Sequence, residues 1–465
     1  MKSMPLSEIA AATTGRLVGP DRSVDAVVTD TRTLSPDTAG GALFVALKGE
    51  RFDGHDHVAA AAAAGVGAAL VSREVDVPIA QVVVADTERA LAELAASVQR
   101  KRATRVVAIT GSNGKTSVKT LVLSILQCAG RAYANPGNRN NEIGLPLAVL
   151  DAPEDAEYAV YEMGAGKPGD IAYLTAIARP DAAIVNNVAA AHLERMGSLL
   201  GVAETKGAIY DDLAEDTGVA VINADDAFAP YFTARARGRR QLRFGLESDA
   251  DVTARAIQPT VDGSQFTLAT PQGEADVALA LPGRHNVLNA LAAASLALGL
   301  GVSLNAVAQG LNAAQPVAGR LITHRLSNGA VLIDDSYNAN PGSLAAAIDT
   351  LAAAGGERWL VLGDMRELGA DAQALHADAG ARAKAAGIGR LYTLGPLSAA
   401  ATEAFGAGAL HFESHDALAR ALGAELREGT RVLVKGSRGS AMDRIVTALL
   451  AGDASSAVEG RTNAS

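Results

Sequence analysis

The chain has 465 residues, 49% apolar and 20% charged, with a formal net charge of −10; this is too long for one ordinary core and predicts about three globular domains. The acidic balance argues against a general nucleic-acid binder, which needs basic patches for phosphates, and the single cysteine, Cys128, excludes an internal disulfide framework. The start Met1–Glu8 lacks the apolar core of a signal peptide, and the apolar stretch Val58 to Val71 is short of the roughly 20 residues of a membrane span, so a cytoplasmic protein without a membrane span is expected.

Short strands at Ala42–Leu47 and Gln81–Val84, around an alanine-rich helix, predict a small α/β domain over residues 1–83. A helical pattern from Thr87 to Arg102 then opens a second domain, expected over residues 84–316. Its buried strands fall at Val106–Thr110, Tyr158–Tyr161, Ala182–Asn186 and Val219–Asn223, and alternation with helices predicts a parallel sheet. Asp251 to Ala280 alternates apolar and polar residues around turns at Asp262-Gly263 and Gln272-Gly273, which predicts antiparallel strands ahead of a helix from Asn286 to Leu300. A Rossmann-like domain is expected over residues 317–465, with strands at Ala330–Asp335, Trp359–Leu362, Leu391–Leu394 and Val432–Val434. The tail from Asp453 to Ser465 is small and polar, and is expected to be mobile.

The most informative run is Thr110-Gly111-Ser112-Asn113-Gly114-Lys115-Thr116-Ser117, where an apolar strand breaks into a Gly-rich turn and reopens as a helix. Gly111 and Gly114 let backbone N–H groups approach an anion, and the helix beginning at Lys115 adds its positive end. The Lys115 ammonium can reach outer phosphates, and the Thr116 hydroxyl suits Mg²⁺. This is a short phosphate loop, since Ile109 stands where the longer consensus has its first glycine.

Open α/β sheets collect ligands at the carboxyl ends of their strands. Glu162 ends one strand and can face a metal or simply face water. Beyond the next strand come His192 and Lys206; spacing alone leaves the first a structural or surface histidine and the second a solvated lysine. The run Asp334-Asp335-Ser336-Tyr337-Asn338-Ala339-Asn340-Pro341 reads either as a capped turn or as one wall of a cleft, with Gly363-Asp364 and Lys435-Gly436-Ser437-Arg438 beside it.

Taken together, the phosphate loop, Glu162-Met163-Gly164, the stretch from Asn186 to Lys206, Gly283-Arg284-His285-Asn286 and Gly319-Arg320-Leu321 resemble the motifs of the Mur ligases, ATP-dependent amide-forming enzymes of peptidoglycan synthesis. The resemblance covers nearly the whole chain. Asp334 to Pro341, Gly137-Asn138-Arg139-Asn140-Asn141-Glu142-Ile143-Gly144 and Leu362 to Gly369 are similar to the branch that adds a D-alanyl-D-alanine dipeptide; Asp30-Thr31-Arg32 and Asp53-Gly54-His55 are similar to that branch's UDP-sugar domain.

The resemblance implies an α/β protein with a small UDP-sugar-binding domain, a central ATPase domain and a Rossmann-like ligase domain. It implies ATP and Mg²⁺ as cofactors, UDP-N-acetylmuramoyl-tripeptide and D-alanyl-D-alanine as partners, and a monomer. Lys115, His192 and Lys206 would be catalytic. Gly111 to Ser117, Asn286, Arg320 and Asp335 would bind ATP. Thr116, Glu162 and His192 would hold metal, joined by Lys206 if it is carbamylated, which turns a cation into an anion. Asp30, Thr31, Arg32, Asp53, Gly54, His55, Asn138, Asn140, Asn141, Asn338, Lys435, Ser437 and Arg438 would meet the other substrates. A sister amino-acid ligase, or a non-catalytic ATP-binding protein, are the competing readings.

Overall fold

In the computed structural model, residues 1–34, 39–190, 193–260 and 263–462 are described. The first sheet contains β1 (Arg16–Val18), β2 (Ala26–Val28), β3 (Ala42–Val45), β4 (Ala68–Val71) and β5 (Ala80–Val83) in the order β1-β5-β4-β3-β2, parallel except for β1. Helix α1 (Thr87–Arg100) follows, capped by Asp86, whose carboxylate accepts from the N–H groups of Glu88 and Arg89.

A second sheet is wholly parallel. It is built from β6 (Arg105–Thr110), β7 (Ala132–Ala134), β8 (Tyr158–Glu162), β9 (Ala182–Val185), β10 (Val219–Asn223) and β11 (Arg240–Phe244), in the order β11-β10-β9-β6-β8-β7. Val106 to Ile109 of β6 are 0–1% exposed, because helices cover both faces of the sheet; each of the valines and the isoleucine contributes about 1.5–3 kcal/mol. Helix α2 (Lys115–Gln127) buries Val118, Leu121, Val122, Ile125 and Leu126, an i, i+3, i+4, i+7, i+8 stripe. Its polar first turn is thereby left facing the strand ends. Helix α3 (Leu199–Gly207) starts on a Ser198 cap.

The antiparallel segment is a three-stranded sheet of β12 (Thr253–Pro259), β13 (Ser264–Thr270) and β14 (Gly273–Leu279), as the alternation predicts. Of its two expected turns, Gly273 begins β14, while Asp262 lies outside the described residues. Helix α4 (Arg284–Gly299) is alanine-rich and buried on most sides against α2, β10 and β11.

The last sheet runs β15-β16-β20-β17-β18-β19, from β15 (Ile322–Arg325), β16 (Val331–Asp335), β17 (Glu357–Gly363), β18 (Arg390–Leu394), β19 (Ala409–Phe412) and β20 (Thr430–Lys435); only the edge strand β15 is antiparallel. Helix α5 (Pro341–Ala352) follows β16 after the connecting run from Ser336 to Asn340, and α6 (Asp443–Thr462) closes the fold. The backbone is helical to Thr462, so the segment from Asp453 that was expected to be a mobile tail continues a helix as far as that residue. Its first two turns bury Ile445, Val446 and Leu449, which anchors it to the core. No helix among the described residues is long and apolar enough to cross a membrane.

Candidate active site

The second sheet changes direction at β6, with β8 on one side and β9 on the other. Crevices form at such switch points. Pairing of Glu162 with Ile109 and of Val185 with Thr110 brings the phosphate loop, Glu162 and Asn186 to one edge. Gly114 has φ 77° and caps α2; a Cβ there would lie 2.5 Å from Asn289 Oδ1 and 2.6 Å from Asn186 Nδ2, so only glycine fits.

Neighbouring amides fix the loop. Asn113 donates its backbone N–H to Asn187 Oδ1 at 2.8 Å, and its carbonyl accepts from Asn186 Nδ2 at 3.0 Å and Asn187 Nδ2 at 3.1 Å. Ser112 Oγ bridges the backbone of Ala189. Lys115 Nζ donates to the Gly111 carbonyl at 2.8 Å. Burial pushes this ammonium's pKa down, Glu162 opposes that shift, and Arg320 adds to it.

Glu162 is 4% exposed. Its Oε2 accepts from Thr116 Oγ1 at 3.0 Å and lies 3.3 Å from Lys119 Nζ, while its Oε1 accepts from Asn140 Nδ2 at 2.9 Å. Asn135 pins the Glu162 backbone from both sides. Burial works against the carboxylate's charge, but Lys115, Lys119 and the hydrogen bonds from Asn140 and Thr116 prevail and hold its pKa below the usual range. The hydroxyl of Thr116 and the carboxylate of Glu162 are hard oxygen donors in contact beside a lysine that can face phosphate. That set fits Mg²⁺, which takes one or two carboxylates and completes its shell with phosphate oxygens and water. Among the described residues no cluster of three or more His, Cys, Asp or Glu side chains forms a metal site without such help.

Lys206, on α3, is 2% exposed. Burial, reinforced by Lys115 and opposed by Asp170, pushes its pKa down to about 7. Among the described residues no carboxylate lies within ion-pair distance of it. The solvated reading of Lys206 is therefore excluded, whereas His192 falls outside the described residues.

From the last sheet, Asp335 and Lys435 stand opposite one another on β16 and β20 and pair at 2.5 Å, both buried; Lys435 Nζ also donates to the Asn338 carbonyl at 3.0 Å. Ser437 Oγ donates to the Ala339 carbonyl at 3.1 Å. The guanidinium carbon of Arg320 sits 4.2 Å from the centre of the Tyr337 ring and that of Arg438 sits 5.7 Å from it. Among the described residues Arg320 Nε is buried with no acceptor, a donor left for a bound ligand or water to satisfy.

Two cavities meet at this junction. The larger, about 450 Å³, is lined by Ser112 to Thr116, Asn138, Asn140, Asn141, Glu162, Lys167, Asp170, Arg195, Arg320, Asn338 and Arg438, among others. The smaller, about 220 Å³, includes Asn113, Gly114, Ser117, His285, Asn286, Asn289, Arg320, Asp335 and Lys435. Burial pushes the His285 pKa down to about 4, which leaves this wall an uncharged imidazole near neutral pH. Gly111, Lys206 and Ser437 line neither cavity.

Asp30, Thr31, Arg32, Asp53, Gly54 and His55 also lie outside both cavities, in the first domain. Asp30 pairs with Arg32 at 2.7 Å, and that hydrogen bond lowers its pKa to about 2. Asp53 receives the His55 N–H and ring, while His55 Nε2 accepts from Ser72 N–H at 2.8 Å. Sequence reasoning missed Lys119; Tyr337 and Asn187 fall inside the runs it marked, Asp334 to Pro341 and Asn186 to Lys206, but were given no part of their own there. Lys119 had a signal: it lies three residues after Thr116, one turn along the same helix face.

Comparison with known proteins matches three family descriptions in order along the chain. Residues 24–108 match the Mur ligase family catalytic domain, residues 109–297 the Mur ligase middle domain, and residues 319–438 the Mur ligase glutamate ligase domain. The UDP-N-acetylmuramoyl-tripeptide–D-alanyl-D-alanine ligase of Escherichia coli K12 is 47% identical over 452 residues, covering 97% of this chain and 99% of the relative. A MurF crystal structure from Acinetobacter baumannii superposes with a TM-score of 0.91 at 34% identity, covering 97% of this chain and 99% of that one. The MurF ligase from Thermotoga maritima in complex with ADP gives 0.83 at 28% identity, covering 92% and 97%. With the three descriptions spanning almost the entire sequence, and the switch-point loop, buried carboxylate and third-domain arginines assembled at one junction, the chain belongs to the Mur ligase family.

Proposed function

We propose that the protein is an ATP-dependent ligase that joins D-alanyl-D-alanine to UDP-N-acetylmuramoyl-tripeptide in the cytoplasm, acting as a monomer divided at residues 83/84 and 316/317. The observation that carries this reading is the junction itself: Lys115, Thr116 and Glu162 lie on the floor of a cavity to which the third domain contributes Arg320, Asn338 and Arg438.

A carboxylate is a poor electrophile, and its charge repels the γ-phosphate. In the proposed reaction the tripeptide's terminal carboxylate oxygen attacks the γ-phosphorus and ADP leaves. The dipeptide's amine then attacks the carbonyl carbon of the acyl phosphate, expelling phosphate and losing a proton. Lys115 and Arg320 face the charge that accumulates on the transferring group, and the loop N–H groups orient it. Thr116 and Glu162 would hold Mg²⁺, which supplies charge neutralisation between the phosphates when bound. Asn286, Ser117 and Asp335 would meet the nucleoside half of ATP in the smaller cavity. Asn138, Asn140 and Asn141 would line the acceptor's path, with Asn338, Lys435, Ser437 and Arg438 on the dipeptide's side.

Lys206 has the chemistry for carbamylation: an amine neutral near pH 7 can attack CO₂, forming an N–C bond and releasing a proton, and the resulting anion would offer oxygen to a second metal together with His192. The first-domain residues Asp30, Thr31, Arg32, Asp53, Gly54 and His55 would hold the UDP-sugar end of the acceptor.

Isotope transfer tests the pathway. With ¹⁸O in the acceptor's terminal carboxylate, one labelled oxygen should appear in the released phosphate and the product mass should correspond to the pentapeptide. Phosphate without label would rule out the acyl phosphate.

A further inference from the structure

A chain of side-chain amides runs from the smaller cavity to the third domain. Asn289 Nδ2 donates to Asn286 Oδ1 at 3.1 Å, and Asn186 Nδ2 donates both to Asn289 Oδ1 at 3.1 Å and to the Asn113 carbonyl at 3.0 Å. Asn340 Nδ2 then donates to Asn113 Oδ1 at 2.7 Å, across 227 residues of sequence. Asn340 is also the N-cap of α5. Its Oδ1 accepts from the Ser343 N–H at 2.9 Å, and its own N–H donates to Ser343 Oγ at 3.1 Å.

Both ends of this one amide are in use. Because the Ser343 N–H can only donate, the atom facing it is the oxygen, and the atom facing the phosphate loop is the nitrogen. Capping alone does not ask for asparagine, since aspartate and serine cap equally well. Aspartate has no hydrogen to donate to Asn113, and a serine hydroxyl is too close to its own backbone to cap and cross to the loop together. The approach is also close: a Cβ on Gly342 would lie 3.1 Å from Asn113 Nδ2 and 3.3 Å from Ala189 Cβ.

We infer that Asn340 is a positioning residue that docks the third domain onto the phosphate loop, so that Arg320, Asn338 and Arg438 reach the cavity only when the loop holds its anion-binding shape. The amide chain ends at Asn286, so occupancy of the smaller cavity and seating of the third domain are coupled through hydrogen bonds that share partners. This rests on the reading of that cavity as the nucleotide site, and the test separates the two.

The experiment compares the full chain with Asn340→Ser, Asn113→Ala and the double variant, measuring melting temperature, ADP affinity by calorimetry and ligand-free size by small-angle scattering. Serine preserves the cap, so Asn340→Ser should melt within about 2 °C of the parent. Its ADP affinity should fall by about 3- to 10-fold, the range of one neutral hydrogen bond, and the double variant should bind no more weakly than the weaker single. Unchanged ADP affinity in Asn340→Ser, or losses that multiply in the double variant, would overturn the inference. If the parent fails to bind ADP, the nucleotide reading falls, and scattering still decides the docking role: expansion of Asn340→Ser relative to the parent supports it, and identical curves refute it.

Discussion

Among single residues, Lys206 has the most informative environment. Its folded-state pKa of about 7 lies below the ordinary 10.5, so between those values the unfolded chain carries a proton that the folded chain lacks. Stability therefore rises with pH across that window, and the full penalty for charging the amine is present below it. In CO₂-free buffer, melting curves from pH 6 to 9 should show this rise for the parent, and subtracting the Lys206→Met curves should isolate it; parallel curves would contradict the buried free amine. Removing dissolved CO₂ should also lower ligase activity, with bicarbonate restoring it in the parent and not in Lys206→Arg. Lys115→Ala should lower substrate-dependent phosphate release on the order of 10²-fold or more, as expected when a preorganised cation facing transferring phosphate is lost. That Lys115 and Thr116 open a helix at a strand end was legible from their order after a strand and glycines. The burial of Lys119 beside Glu162 and the stacking of Tyr337 under Arg320 were not, because they depend on contacts between distant segments.

Among elements, the phosphate loop and the first turn of α2 act as one unit, since Gly114 serves as helix cap, sharp turn and close neighbour of two amides. Gly114→Ala should cost roughly 1–3 kcal/mol from backbone strain alone, lowering the melting temperature and abolishing ADP binding measured by calorimetry. The buried Lys435–Asp335 pair joins β16 to β20. Lys435→Met should destabilise by about 3–5 kcal/mol in denaturant unfolding by stranding a buried carboxylate, whereas replacing both partners with apolar residues should recover much of that loss. Strands were readable because apolar runs such as Val106–Ile109 and Val432–Val434 are flanked by turn residues, and the antiparallel insertion because its residues alternate. The helical backbone at the end of the chain was not legible in its small polar composition; it continues a helix anchored upstream by Ile445 and Leu449.

At the scale of the molecule, the decisive feature is that neither cavity belongs to one domain. The loop and Glu162 come from the second sheet, while Arg320, Asp335 and Arg438 come from beyond it. Sequence could name these parts, but how they meet depends on inter-domain contacts such as Asn340 with Asn113. Substrates that bridge such a junction favour closure, so scattering should show a smaller radius of gyration with ATP analogue and acceptor together than with neither; superimposable curves would count against hinge motion. The most direct measurement is phosphate release with each reactant withheld in turn. Turnover should require ATP, UDP-N-acetylmuramoyl-tripeptide and D-alanyl-D-alanine together and collapse when a single amino acid replaces the dipeptide, whereas equal release with a single amino acid, or without any amine, would contradict a dipeptide ligase.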